Sequence, residues 1–449
     1  MKILSNFSGL KAYFIGIGGI SMSGLAKILL SMGCGVSGSD LGKNNPEIEK
    51  LKSIGIRVNP EHSAKNIDQD IDFVVYTAAV DNSNPELSRA KDLNIPVYER
   101  AELLGMLSRG YSKVIAVSGT HGKTTTTAML GEIFIHAGYN PTVHIGGVSA
   151  GLKSNTVIGG KEYLILEACE YCNSFRHIPS DTAVITNIEA DHLDYYRDIE
   201  DIMSAFNYFA GQSQHIVIGK TVDISHKNRL VVGTDWEARE VEYLDCGYKY
   251  NVYYRGEFWA TLRLNILGEY NITNSLFAIA VAVKYGIEKT AIIEAISRFR
   301  GVERRMEVVG KINDKSIIID YAHHPTELRA SMYSFGSCFE DYLVIFQPHT
   351  FSRTVSLMDD FVEALKGQKN LIIYKTYPAR EEEIIGGRAE DLAERLGVRY
   401  VGDMDSIFDI IETATREGEI SSVLVLGAGD LAEVIKTRYK SGSQVNEKW

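Results

Sequence analysis

Residues 117–127, VSGTHGKTTTT, carry the groups needed to hold a phosphate. A glycine turn lets backbone N–H groups ring an anion, and a helix starting just after it presents its positive end. Lys123 is placed to reach a β- or γ-phosphate, and the hydroxyl of Thr124 or Thr125 suits a magnesium ion. The turn is shorter than the common G-x-x-x-x-G-K-[ST] loop, whose first glycine would fall at Val117; here the upstream glycine is Gly119. A second glycine turn, FIGIGGISMSGLA, lies near the start of the chain. Gly16-x-Gly18 opens like a dinucleotide fingerprint, but the last glycine position is Ser21. Asp40 follows where a ribose-binding acid sits in such units. Alone, this turn means either a nucleotide of some kind or close strand–helix packing.

Other strand ends add donors. LILEACE puts Glu167 at the end of one strand, and TNIEADHLDYY puts His192 just past another, with Asp191 and Asp194 as helix-capping candidates. A carboxylate and an imidazole beside a triphosphate suit a divalent cation and the charge of a moving phosphoryl group. DYAHHPTE (Asp320, His323, His324) and FQPHTFSRT (His349, Arg353) each follow a buried strand, where an open α/β sheet places its ligands. Arg304-Arg305 offers a phosphate fork. Cys169 and Cys172 form one CxxC with no second pair, and read as ordinary thiols.

The elements that must position these residues alternate between strand and helix. KAYFIGI, CGVSGSD, DFVVYTAAV and IPVYERAELLGMLS make a first α/β unit, and KVIAVSG, YLILEA and TAVITNI begin a second. Residues 215–265 break the rhythm with strand-like runs and Gly/Asp turns, read as a small antiparallel sheet. SIIIDYA, DYLVIFQ, NLIIYKTY and SVLVLGAGD form a third alternation. The expected fold class is therefore α/β in three domains, 1–107, 108–300 and 301–449: Rossmann-like, P-loop-type, and Rossmann-like again. The 449 residues fit about three domains. Lys+Arg of 47 against Asp+Glu of 58 argues against nucleic acid or an acidic membrane as a partner. No apolar run approaches a membrane span and no secretory leader opens the chain, so a cytoplasmic protein is expected.

Taken in order, GIGGISMSGLA, SGTHGKTTTT, EACEYCNSF with TNIEADHLDYY, NITN, GVERRME, DYAHHPTE and FQPHTFSRT resemble the Mur ligases nearly end to end. That family's ATP loop is the short GTxGK[ST] form, which accounts for Val117. The resemblance implies an ATP- and Mg²⁺-dependent ligase joining L-alanine to UDP-N-acetylmuramate through an acyl phosphate. It implies that Gly18, Gly19, Ile20, Ser21 and Asp40 hold the UDP-sugar. ATP would lie on Gly119, Thr120, His121, Gly122, Lys123, Thr124 and Thr125, with Asn271 and Asn274 near adenine. Thr124, Glu167 and His192 match the magnesium positions. The C-terminal domain would close over the site, bringing Arg305 and Asp320 to the nucleotide, His349 and Arg353 to the amino acid, and His323 or His324 as base. Three positions depart from the family pattern: EACEY for EADES, Tyr270 for a common histidine, and Thr350 for an arginine. The rival readings are a ligase that recycles a ready-made tripeptide, a nicotinamide oxidoreductase, and a nucleotide-controlled binding protein.

Overall fold

The computed structural model describes residues 6–42, 45–77, 80–191, 195–244, 247–379 and 381–440. Three sheets carry the chain. The N-terminal sheet has five parallel strands in the order 3-2-1-4-5, with Lys11–Ile15 at its centre. The inner residues Ala12, Tyr13, Phe14 and Ile15 are buried, as expected for a strand covered on both faces.

The central sheet has ten strands. Lys113–Ser118 lies between Tyr163–Glu167 and Thr182–Ile185, parallel to both. The strands expected to form a small antiparallel sheet grafted on the central domain lie at one edge of this sheet. Arg229–Val232 pairs in parallel with His215–Gly219, and three further strands continue outward to Glu257–Leu264. Pairing to an existing edge satisfies backbone groups that a detached three-stranded sheet would expose. On the opposite side Thr142–Ser149 and Ser154–Val157, strands the sequence patterns do not flag, form an antiparallel edge. Gly146, Gly147 and Asn155 within them are of types depleted in strands.

The third sheet has six strands. Lys315–Asp320, Ser422–Leu426, Leu343–Phe346, Leu371–Tyr374 and Arg399–Val401 run parallel, and Glu307–Ile312 adds an antiparallel edge. By contacts the chain forms two compact units. The first comprises Met1–Glu240, Tyr250–Leu262 and Thr273–Arg300; the second comprises Val241–Lys249, Arg263–Ile272 and Gly301–Trp449. Among the described residues no helix is long and apolar enough to cross a membrane.

Within the first unit the helix Ile20–Ser31 packs on the antiparallel edge of the central sheet. A side chain at Gly24 would lie 2.3 Å from Thr156 Oγ1 and 2.7 Å from the His144 ring, so only glycine permits this approach. The contact is polar. Ser21 Oγ and His144 Nε2 share a 2.8 Å hydrogen bond, Arg100 Nη1 donates to Ser21 Oγ, and Lys27 donates to Asn155 Oδ1. Burial, with the cations of Arg100 and Lys27 adding to it, pushes the pKa of His144 down to about 3.

His144 is thus neutral when folded, and the unfolded chain takes up its proton. Stability is full above pH 6.5, the ordinary histidine value, and falls as pH drops toward 3. Between pH 7 and pH 5 this residue is expected to remove about 2 kcal/mol of stability. Denaturant titrations at the two pH values, compared with the His144→Gln variant, check this; an equal pH dependence in both proteins refutes it.

Candidate functional site

The strand Lys113–Ser118 delivers the chain into the phosphate loop, and the helix Lys123–His136 leaves it. Gly119 and Gly122 have φ of +127° and +85°, which side chains with a Cβ adopt only with strain. A Cβ at Gly122 would also meet Asn274 Oδ1 at 2.4 Å, so Asn274 is packed directly on the loop. The loop is tied to the neighbouring strand end. His121 N donates to Asn187 Oδ1 (2.9 Å), Asn187 Nδ2 donates to His121 O (3.1 Å), and Thr120 N donates to Asn187 O (3.0 Å). Thr186 Oγ1 donates to His121 O. Sequence reading passed over Thr186 and Asn187. The available signal was their position just past a strand in register with the loop's own, Ile185 opposite Ser118.

Lys123 is largely buried. Its ammonium donates to Gly119 O (2.6 Å), Thr120 O (3.1 Å) and Glu170 Oε1 (2.8 Å). Burial disfavours its charge, but the carboxylates of Glu170 and Glu167 outweigh that and hold its pKa above the usual lysine value. Glu170, three residues past Glu167, is a third residue that sequence reading missed; among the described residues its carboxylate is the closest counter-charge to Lys123. Thr124 and Thr125 are buried in the first turn of the helix. Glu167 ends its strand opposite Val117 and accepts a hydrogen bond from Gly146 N at 3.0 Å. The structure thus brings Lys123, Thr124, Glu167, Asn274 and the loop glycines to one sheet edge. His192 and Asp194 lie outside the described residues. The helix Ile199–Gly211 that follows is capped by Asp198, whose Oδ1 accepts from Asp201 N. Cys169 and Cys172 form no disulfide, and burial pushes the Cys169 pKa up to about 11.

At the N-terminal turn Asp40 serves the backbone: Oδ2 accepts from Gly18 N and Oδ1 from Gly42 N, at 2.8 and 2.9 Å. Gly19 precedes the helix Ile20–Ser31, so Ile20 and Ser21 form its first turn.

In the second unit, Asp320 is 2% exposed. It accepts from Ala322 N, Met306 N and the Tyr270 hydroxyl, and burial, opposed by Arg305, raises its pKa to about 6. Asn271 is turned inward, donating to Leu267 O at 2.7 Å. The arginine pair does not make a fork. Arg304 has φ +60° and donates to Gly427 O and Gly429 O, whereas Arg305 lies 3.8 Å from Glu327; both guanidiniums sit over the Tyr321 ring. His324 caps the helix Pro325–Gly336, its Nδ1 accepting from Thr326 N. His323 packs edge-on against Tyr321, 5.9 Å ring to ring from His349. Burial lowers the pKa of His323, and lowers that of His349 to about 4 with His323 and Arg353 adding to the effect. His349 stacks on Tyr377, and its Nδ1 lies 3.5 Å from Arg353 Nη1.

Comparison with known proteins identifies relatives along the whole chain. Residues 11–112 match the Mur ligase family catalytic domain, 117–282 the Mur ligase middle domain, and 304–429 the Mur ligase glutamate ligase domain. A UDP-N-acetylmuramate–L-alanine ligase of Caldicellulosiruptor bescii is 41% identical, covering 94% of this chain and 96% of that protein. One of Caldanaerobacter subterraneus subsp. tengcongensis is 39% identical with the same coverage of each. The crystal structure of the UDP-N-acetylmuramate–alanine ligase from Thermotoga maritima superposes with a TM-score of 0.83 at 27% identity, covering 97% of this chain and 100% of that one.

The Asn187 clasp has a measurable consequence. In Asn187→Ala the His121 amide loses its acceptor, worth about 1 kcal/mol. Its hydrogen exchange is expected to quicken about fivefold, the equivalent of that loss, while global unfolding moves little. Exchange followed by mass spectrometry checks this; unchanged protection at His121 refutes it.

Proposed function

We propose that this chain, which belongs to the Mur ligase family, joins L-alanine to the lactyl carboxylate of UDP-N-acetylmuramate with conversion of ATP to ADP and phosphate. The reaction is a step of peptidoglycan precursor synthesis. The observation that carries the chemistry is Lys123 and Glu167 together at one sheet edge, beside a glycine loop and a helix N-terminus.

A carboxylate is a poor electrophile, so it must first gain a leaving group. Its oxygen attacks the γ-phosphorus of ATP, giving an acyl phosphate and ADP; the amine of alanine then attacks the carbonyl carbon and phosphate departs. Lys123 offsets the charge that moves from γ- to β-phosphate, and the loop amides hold the chain of phosphates in line. The oxygen donors of Thr124 and Glu167 fit Mg²⁺, a hard cation, and one Glu167 oxygen accepts no hydrogen bond among the described residues. With His192 these residues would hold Mg²⁺, which supplies charge neutralisation on the transferring phosphoryl group. Asn274 is assigned to the adenine side of the loop, and the turn at Gly18, Gly19, Ile20 and Ser21 to the nucleotide sugar. Asp40 supports that turn by fixing the Gly18 amide.

In the second unit Arg353 would pair with the amino-acid carboxylate and His349 would line its pocket. Arg305, Asp320 and Asn271 are assigned to the nucleotide. The incoming ammonium must lose a proton, and His323 is the better base. Its lowered pKa leaves it neutral at pH 7, whereas the His324 Nδ1 is occupied by the helix cap. Use of ATP and a nucleotide sugar sets the reaction in the cytoplasm.

Phosphate release from ATP is expected only when UDP-N-acetylmuramate and L-alanine are both present; equal release with either omitted overturns the reading. Replacing L-alanine with the recycled tripeptide tests the rival ligase. Lys123→Ala is expected to lower kcat by about 10²-fold or more, as for loss of one preorganised charge donor. Loss of activity through unfolding, seen as a collapsed melting transition, would make the residue structural instead.

A further inference from the structure

A lysine ammonium has three N–H donors and no acceptor. Lys123 commits all three to the protein: Gly119 O, Thr120 O and Glu170 Oε1, at 2.6, 3.1 and 2.8 Å. The Lys123 and Glu170 side chains are 14% and 4% exposed, so water offers little substitute for these bonds. A phosphate oxygen therefore gains a bond to Lys123 only by displacing one of the three. The two carbonyls are neutral acceptors on the loop itself, whereas the carboxylate is a charged competitor for the same cation.

Glu170 is also held in place. The Tyr196 hydroxyl donates to its carbonyl oxygen at 2.5 Å and Asn173 N donates to the same atom at 3.0 Å, fixing the backbone at the start of the turn Tyr171–His177. The carboxylate therefore reaches Lys123 from an anchored residue. It gives a buried ammonium the counter-charge without which that ammonium would be costly to bury.

We propose that Glu170 is a positioning residue that holds the Lys123 ammonium on the protein side of the phosphate loop, in competition with the phosphates of the nucleotide. The proposal rests on the reading of this loop as the ATP site. A ligand that needs a conformer populated only in part binds more weakly by that fraction. In a Glu170→Gln variant the amide still fits but the competing charge is gone, and the Glu167 carboxylate remains nearby to keep Lys123 charged.

The test is calorimetric titration with the magnesium complex of the non-hydrolysable β,γ-imido analogue of ATP. Wild type is expected to bind, and E170Q to bind about three- to tenfold more tightly. E170D, whose carboxylate is drawn back by one methylene, should also gain affinity. On a K123A background the E170Q gain should shrink. Unchanged or weaker binding by E170Q with a wild-type melting transition overturns the proposal. So does an equal gain with and without Lys123, because the carboxylate would then act by repelling phosphate alone. Absence of binding by wild type overturns the nucleotide reading itself. Should both Glu170 variants unfold, the Nζ resonance of Lys123 in wild type decides. Slow exchange that ends when the nucleotide analogue is added supports the proposal, and fast exchange throughout overturns it.

Discussion

The parallel pairing of Lys113–Ser118 with Tyr163–Glu167 on one side and Thr182–Ile185 on the other is the constraint from which the candidate site follows. Parallel strands finish at the same sheet edge, so whatever follows each is brought together. Here the phosphate loop, the Glu167–Glu170 segment and the Thr186–Asn187 clasp are those followers. The strand interiors are buried apolar residues, Ile115, Ala116 and Val117 against Leu164, Ile165, Leu166, Ala183 and Val184. A slip along the strand would draw an end residue such as the exposed Lys113 into that buried interior. Register fixed by burial thereby fixes which polar groups meet beyond the strands.

The edge then becomes a problem of charge. An ammonium taken out of water requires close acceptors and a counter-ion, and Lys123 finds two carbonyls and Glu170. The junction with the N-terminal sheet answers to a similar rule. Gly24 allows the helix Ile20–Ser31 to come close, and Ser21, Lys27, His144 and Asn155 supply directional bonds that fix one orientation, where an apolar contact would tolerate sliding. The strand that carries His144 runs on to Gly146, whose N–H holds Glu167. One strand therefore joins the N-terminal turn to the carboxylate at the phosphate edge.

In the second unit, adjacent residues of like chemistry take different work. Arg304, at a positive φ, turns onto the carbonyls of Gly427 and Gly429, and Arg305 faces Glu327. His324 is consumed by a helix cap, while His323 and His349 are kept neutral by burial beside arginines. Thr350 has a φ of +68° ahead of a short helix, a backbone arrangement that costs about 1–3 kcal/mol. It is tied down by a bond from its N–H to Tyr377 O.

The buried apolar runs before each motif were legible in the sequence, because a strand covered on both faces is nearly continuous Val, Ile and Leu. The phosphate loop was legible too, since glycine, lysine and threonine at that spacing answer a local need. The antiparallel edge Thr142–Ser149 with Ser154–Val157 was not, being interrupted by Gly146, Gly147 and Asn155, which gain strand structure only from their neighbours. Residue order alone determined the fold class, the glycine loop ahead of Lys123, and a chain of motifs that named its family. Only the tertiary structure decided that Glu170 meets Lys123, that Asn187 clasps the loop, and that Arg304 and the His324 Nδ1 bond to nearby backbone. These are contacts between segments brought together by sheet register and burial, and nothing in the spacing along one strand encodes what lies at the end of the next.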